Sequence, residues 1–287
     1  MKESRVNDGK TLLVEFDSWG DWLEYSRLAL PKNVYHDSSI KTDSFYQEFT
    51  LTPNYDKAIE LALVGWEEKV NEARTLSELL INKILDHMAV PTIHYDVEGI
   101  DFDMSRVHQG EPECWYRFEE HVTENEGDAV VRIVINNMAS CGVETDTIIK
   151  RGAVIAALVE TLEYAHRRVE LVSHSPFAAF DDDGKKAAAE FKIMVKTASQ
   201  PLDLARLMFM SGHPSMLRRL LFHALEMNVP EHTKCGSCYG YPTDLSKADQ
   251  GNVYFGKLHY GQNDRWLRDP EGFIIEQLQA QGVEVKL

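Results

Sequence analysis

Val130-Val131-Arg132-Ile133-Val134-Ile135, running into Asn136-Asn137-Met138-Ala139-Ser140-Cys141-Gly142, is the stretch that decides the fold. Its first six residues are dominated by β-branched side chains, the composition of a buried strand in a parallel sheet. The polar loop continues to Glu144. Thr145 then caps a helix to about His166, on which Ile148, Ile149, Ala153, Ile155, Ala156, Leu158, Val159 and Leu162 are apolar. Val169-Glu170-Leu171-Val172 is the next strand. Strand, crossover helix and strand make a βαβ unit over Val130–Ser173, with a right-handed crossover expected.

Downstream, Asp181-Asp182-Asp183-Gly184 reads as a solvated turn, since it lacks the alternating spacing and distal Glu of a calcium loop. Phe191–Lys196 follows as a strand. Helices are expected around Leu202–Met210 and Ser215–Met227, separated by His213-Pro214, then a strand at Val253–Tyr260 and a helix from Asp269-Pro270 to Gln281. Upstream, Thr11–Phe16 reads as a strand, and Asp17 or Ser18 caps a helix carrying Trp19, Trp22, Leu23, Tyr25 and Leu28. Phe45–Leu51 and Thr92–Phe102 are expected strands; Ala58–Trp66 and Val70–Met88 are amphipathic helices. Trp115–Phe118 reads as a strand entering the acidic loop Glu124–Asp128. With no repeat and no low-complexity linker, the expectation is one integrated domain over 1–287, with a strand–helix elaboration at 1–110 and an α/β core at 111–287.

The chain has 287 residues, 44% of them apolar and 26% charged, which supplies a sizeable core. It has no run of eighteen apolar residues and begins with a polar segment, so neither a membrane span nor a signal peptide is expected. Four cysteines are too few for a disulfide scaffold at this length. Cys235-Gly-Ser-Cys238 has C-x-x-C spacing, but Tyr239-Gly240-Tyr241-Pro242 follows it where a redox motif would enter a helix. Its zinc reading would have to draw on His232 and His223; a coincidence of spacing or a pair of structural thiols is expected instead.

The loop after the central strand occupies the place where open α/β sheets bind ligands. In vWA-type domains the same turn carries an acidic residue and two serines that hold a divalent cation. Here the acidic position is Asn136 or Asn137, and only Ser140 supplies a hydroxyl. A neutral amide in place of a carboxylate predicts a vWA-like shape without the metal site and no cofactor. There is no G-x-S-x-G elbow, H-E-x-x-H pair, Walker A loop or G-x-G-x-x-G fingerprint, and the expectation is a protein that is not an enzyme.

The formal net charge of −16 argues against bulk affinity for duplex DNA, yet local basic groups stand out from it. They are Lys150 with Arg151, Arg167 with Arg168, Lys185 with Lys186, and Arg206 with Arg218 and Arg219. At least one guanidinium of Arg218-Arg219 is expected at the rim of an apolar helix face. Trp115, Tyr116, Tyr239, Tyr241, Tyr254 and Trp266 are candidates for stacking bases. These residues need to converge on one face for the nucleic-acid reading to hold.

Several segments together resemble a phage protein family. They are Tyr55–Ala62 with Gly65-Trp66, Gly110–Cys114, Val131–Asn136 continuing to Arg151-Gly152-Ala153, Leu162-Glu163 with Val169–Leu171, and His213–Arg219. The family includes the single-stranded-DNA-binding RNA polymerase cofactors (Drc-type) of podophages that package a virion RNA polymerase. The resemblance implies a transcription cofactor in the host cytoplasm, with single-stranded DNA and a phage RNA polymerase as partners. It carries no motif that fixes DNA-contacting residues. The other reading of the same chain is a vWA-like protein-interaction module with no nucleic-acid role.

Overall fold

The computed structural model describes residues 1–34, 36–85, 92–99, 101–119, 130–181, 184–236, 239–261, 263–283 and 285. β6 (Val130–Ile135), α6 (Thr145–Tyr164) and β7 (Arg168–Asp181) form the expected unit, with β6 and β7 parallel from Val130↔Arg168 to Ile135↔Ser173. Around it run β1 (Lys2–Val6), β2 (Thr11–Phe16), β8 (Gly184–Lys196), β9 (Tyr241–Pro242) and β10 (Val253–Phe255). The central sheet has the order β1-β2-β8-β7-β6-β10, with β9 on β7. The β2/β8, β7/β6 and β6/β10 junctions are parallel, while β1/β2, β8/β7 and β7/β9 are antiparallel. The chain is therefore a mixed α/β protein whose central sheet, with three parallel and three antiparallel junctions, is flanked by helices.

One face of the sheet carries the main core. Ile133, Ile135, Val169, Leu171, Phe177, Phe191 and Ile193 are buried there, joined by Val14 and Phe16 from β2. Burying about 25 cal/mol per Å² of apolar surface, this face is the principal stabilising term of the fold. The opposite face alternates: Val134, Val172 and Leu245 form a small cluster. Beside it lie two cross-strand ion pairs, Lys192 to Glu15 at 3.0 Å and Arg132 to Glu170 at 2.9 Å, and a hydrogen bond between His174 Nε2 and Glu190 at 2.8 Å. The period-2 alternation of Arg132 and Glu170 with their apolar neighbours explains this two-sided character.

The remaining helices are α1 (Trp19–Ser26), α2 (Ser44–Thr50), α3 (Tyr55–Val64), α4 (Val70–Leu85), α5 (Met104–His108), α7 (Leu204–Gly212), α8 (Phe222–Met227), α9 (Val229–Cys235), α10 (Arg265–Arg268) and α11 (Pro270–Ala280). A π-helical turn, Met216–Leu221, leads directly into α8. α6 packs against α4, α7 and α11. It crosses α7 closely: an added Cβ on Gly152 would stand 2.5 Å from the Cα of Gly212. Among the described residues no helix is long and apolar enough to cross a membrane.

Three expectations are corrected. Phe45–Leu51 is not a strand: Asp43 accepts the amide of Tyr46 as an N-cap, and Leu51 ends the helix in the left-handed region at φ 54°. Thr92–Phe102 is not one strand. β3 (Thr92–Asp96) and β4 (Asp101–Phe102) both pair antiparallel with β5 (Trp115–Glu119) in a separate three-stranded sheet. The strand at Val169 is far longer than four residues, because β7 and β8 are the arms of one hairpin reaching Asp181↔Gly184. The Glu124–Asp128 loop and the thiol Cys238 lie outside the described residues.

Candidate functional site

The chain leaves β6 between two neighbours that it reaches in opposite directions, β7 through α6 and β10 through the long C-terminal connection. Such a reversal opens a crevice at the carboxyl ends of the strands, the usual ligand position of an open sheet. Here the crevice is closed by the protein itself. The amide of Asn136 donates to the carbonyl of Phe255 at 2.9 Å. Asn136 Nδ2 donates to the Thr243 carbonyl at 2.8 Å and to the Tyr254 hydroxyl at 3.1 Å. The amide of Asn137 donates to Ser175 Oγ at 3.2 Å, and its Nδ2 to Ser173 Oγ at 3.0 Å.

Arg151 fills what remains. From α6, Nη1 donates to the Asn136 carbonyl at 3.0 Å and to the Gly256 carbonyl at 3.3 Å, while Nη2 donates to Asn137 Oδ1 at 3.2 Å. The residue is 2% exposed. Burial lowers its pKa to about 10, which leaves it a cation at neutral pH. Its oxygen partners come from strands and loops on both sides of the crevice, and none is a carboxylate. The residual space lined by Asn137, Arg151, Ser211 and His213 is about 10 Å³, at the lower limit for a single water. A hydrated ion or small substrate has no room there. Among the described residues, no group of three His, Cys, Asp or Glu side chains is placed to hold a metal.

A second buried polar centre fastens the segment 38–52 to the π-helical turn. Arg219 donates to the carbonyls of Ser39 at 2.7 Å, Lys41 at 2.9 Å and Thr52 at 3.0 Å, and to Thr52 Oγ1 at 2.9 Å. Glu226 receives the amide of Ser39 at 3.0 Å, the Ser39 hydroxyl and the Tyr239 hydroxyl. Ser39 is thus held at its N–H by a carboxyl and at its C=O by a guanidinium. Burial outweighs the donated hydrogen bonds and raises Glu226 to about 7. Arg218 turns the other way. It donates to the carbonyls of Phe49 at 2.7 Å and Val143 at 3.1 Å, with its guanidinium 3.9 Å from the Phe49 ring centre.

These positions revise the expected nucleic-acid residues. Arg151, Arg218 and Arg219 are interior and spend their donors on the protein's own oxygens, so neither member of the Arg218-Arg219 pair emerges at a rim. Tyr239 is buried with its ring stacked 4.0 Å from Phe222, and Trp266 is buried with Nε1 donating to Asp264 at 2.9 Å. Tyr254 is half-buried in the crevice network. Lys150 and Arg168 are exposed, but Lys150 lies in the second turn of α6 and Arg168 opens β7 beyond the far end of that helix, roughly 20 Å of helix away at 1.5 Å per residue. Arg167 donates to the Gly282 carbonyl at 3.1 Å, and Arg206 pairs with Asp203 at 3.1 Å. Lys185 and Lys186 stand in β8, with side chains outside the described residues. The basic candidates do not converge. Tyr241 is 42% exposed on β9, and Tyr116 is half-buried on β5 beside Trp115, which is 37% exposed.

Sequence reasoning missed Glu226, Ser39 and the exposed Phe102. It also took Arg151 for surface charge. The available signal was its setting: Arg151 is the one charged residue in Arg151-Gly-Ala-Val-Ile-Ala-Ala-Leu-Val159, a run that only a buried helix carries.

A family model described as a domain of unknown function (DUF7192) matches residues 2–285. No curated protein and no solved structure matches the chain.

Proposed function

The chain belongs to the DUF7192 family, and we propose that it is a non-enzymatic protein-interaction module on a vWA-like scaffold. The observation that carries this reading is the Arg151 guanidinium in the crevice at the end of β6. On the vWA-like reading this is the crevice that would hold a cation, and the guanidinium supplies a fixed positive charge surrounded by oxygens there. The βαβ unit and the polar turn after β6 support the vWA-like description. With the strand-end crevice filled, binding falls to the outer surface.

Exposed rings at Trp115 and Tyr241 favour a second reading, the single-stranded-DNA-binding cofactor of a phage RNA polymerase. Against it stand the acidic surface, the interior placement of three of the candidate arginines and the separation of Lys150 from Arg168. Fluorescence anisotropy with labelled single-stranded and duplex oligonucleotides at low salt separates the two. The interaction-module reading expects no binding at micromolar protein. Saturable binding that weakens steeply with salt would replace it with the cofactor reading.

A further inference from the structure

We infer that the small sheet of β3, β4 and β5 is a docking surface for a lysine- or arginine-rich segment of a protein partner, anchored on Phe102 and Trp115. This deepens the interaction-module reading and rests on it.

The register places Asp96, Trp115 and Phe102 in one cross-strand row, with His94 and Arg117 in the next. Tyr95, Tyr116 and Asp101 point to the other face by the period-2 alternation of strands. The two faces are finished differently. On the tyrosine face, Tyr95 donates to Asp103 at 3.1 Å, and the guanidinium of Arg106 lies 3.9 Å from the Tyr95 ring centre while pairing with Glu111 at 2.5 Å. There the protein supplies its own cation to an aromatic ring ringed by carboxylates.

On the other face the rings of Phe102 and Trp115 meet edge-to-face at 5.3 Å and are 42% and 37% exposed. Val97, Met104 and Val107, close to them in sequence, are 62%, 54% and 41% exposed. Five large apolar side chains exposed within twenty residues are a concentration that single scattered surface hydrophobics do not produce. An aromatic anchor inside a polar rim is the anatomy of a protein interface.

Charge selects the partner. Between His94 and Arg117 the sequence holds six carboxylates and two guanidiniums. Both guanidiniums are paired, Arg106 with Glu111 and Arg117 with Asp96 at 3.3 Å. Glu98 and Glu113, in the segments that precede β4 and β5, are left without a basic partner among the described residues, and so are Asp101 and Asp103 on the tyrosine side of the same small sheet. Lying within or near one Debye length of each other, they repel a phosphodiester chain and attract cations. Exposed aromatic rings beside them offer cation–π contacts to the same lysine or arginine groups.

The test uses the full chain and a fluorescein-labelled peptide of alternating lysine and leucine. Controls are a lysine–serine peptide of equal charge and labelled oligothymidylate. The expected result is saturable binding of the lysine–leucine peptide, weakened at least tenfold by Phe102→Ala with Trp115→Ala and at least threefold by Glu98→Gln with Glu113→Gln. Trp115→Phe, which keeps a ring, should retain most of the affinity. Circular dichroism confirms that each variant is folded. Peptide binding that ignores both pairs of substitutions would overturn the surface assignment while leaving the interaction-module reading standing, as would failure of the wild type to bind the peptide. Oligothymidylate binding lost on Phe102→Ala with Trp115→Ala would overturn both.

Discussion

Arg151 Nη2 donates to Asn137 Oδ1 at 3.2 Å, which ties the crossover helix to the loop at the end of the central strand. The contact joins an interior cation to a side-chain amide in the loop that follows β6. It unites the two halves of the crevice and removes the cavity that a ligand would need.

Arg151→Met should cost about 3–5 kcal/mol, since the carbonyls of Asn136 and Gly256 and the Asn137 amide oxygen all lose their donor. Urea denaturation followed by circular dichroism reads the change. A variant within about 1 kcal/mol of wild type would show that these oxygens find other partners.

Gly152→Ala should destabilise by about 1–3 kcal/mol or more, because the new methyl meets the Gly212 backbone, which has no side chain to move aside. Gly20→Ala, in the first turn of α1, meets only Ser18 Oγ at 3.6 Å, an ordinary contact, and helical backbone suits alanine, so its cost should be the smaller. Equal melting temperatures for the two variants would contradict the close α6/α7 crossing.

Arg219→Ala should release the segment 38–52, since one guanidinium holds the carbonyls of Ser39, Lys41 and Thr52. The expected readout is new tryptic cleavage at Lys41 under native conditions, with a loss of stability of about 3–5 kcal/mol. Unchanged digestion would mean that Glu226 and the packing of α2 suffice.

Stability should fall as pH drops through the histidine range, and Glu226 should oppose that fall. Burial lowers His213 to about 3 and His223 and His232 to about 4, so between about pH 6.5 and 4.5 the unfolded chain takes up protons that the folded chain refuses. Glu226, raised from 4.5 to about 7, works in reverse: the folded state holds the extra proton, and that contribution is lost as pH rises toward 7. Glu226→Gln removes the opposing group. Its stability should therefore drop more steeply with acid than that of wild type, and parallel curves in urea titrations from pH 7 to 4.5 would refute the assignment.

What the sequence disclosed and what it withheld follow a physical division. The β6–α6–β7 unit was legible because β-branched runs and a long apolar helix are local signals. The β7–β8 arms were not, since Ser173–Ala179 and Ala187–Ala189 are small or lack β-branching and pair only because their partner strand is there. Phe45–Leu51 carries strand-forming aromatics but is a helix because Asp43 caps it. Arg151, Arg218 and Arg219 read as surface charge because their acceptors lie 14 to 180 residues away in sequence. Their apolar flanks were the one local hint that the charges point inward.

The most direct test of the filled crevice is thermal unfolding of the wild-type chain titrated with Mg²⁺, Mn²⁺ and Ca²⁺ at constant ionic strength. With Arg151 filling the crevice, the midpoint should stay the same for all three ions. A saturable rise in the midpoint, abolished by Asn137→Ala, would show that the loop after β6 holds a metal and would contradict the account.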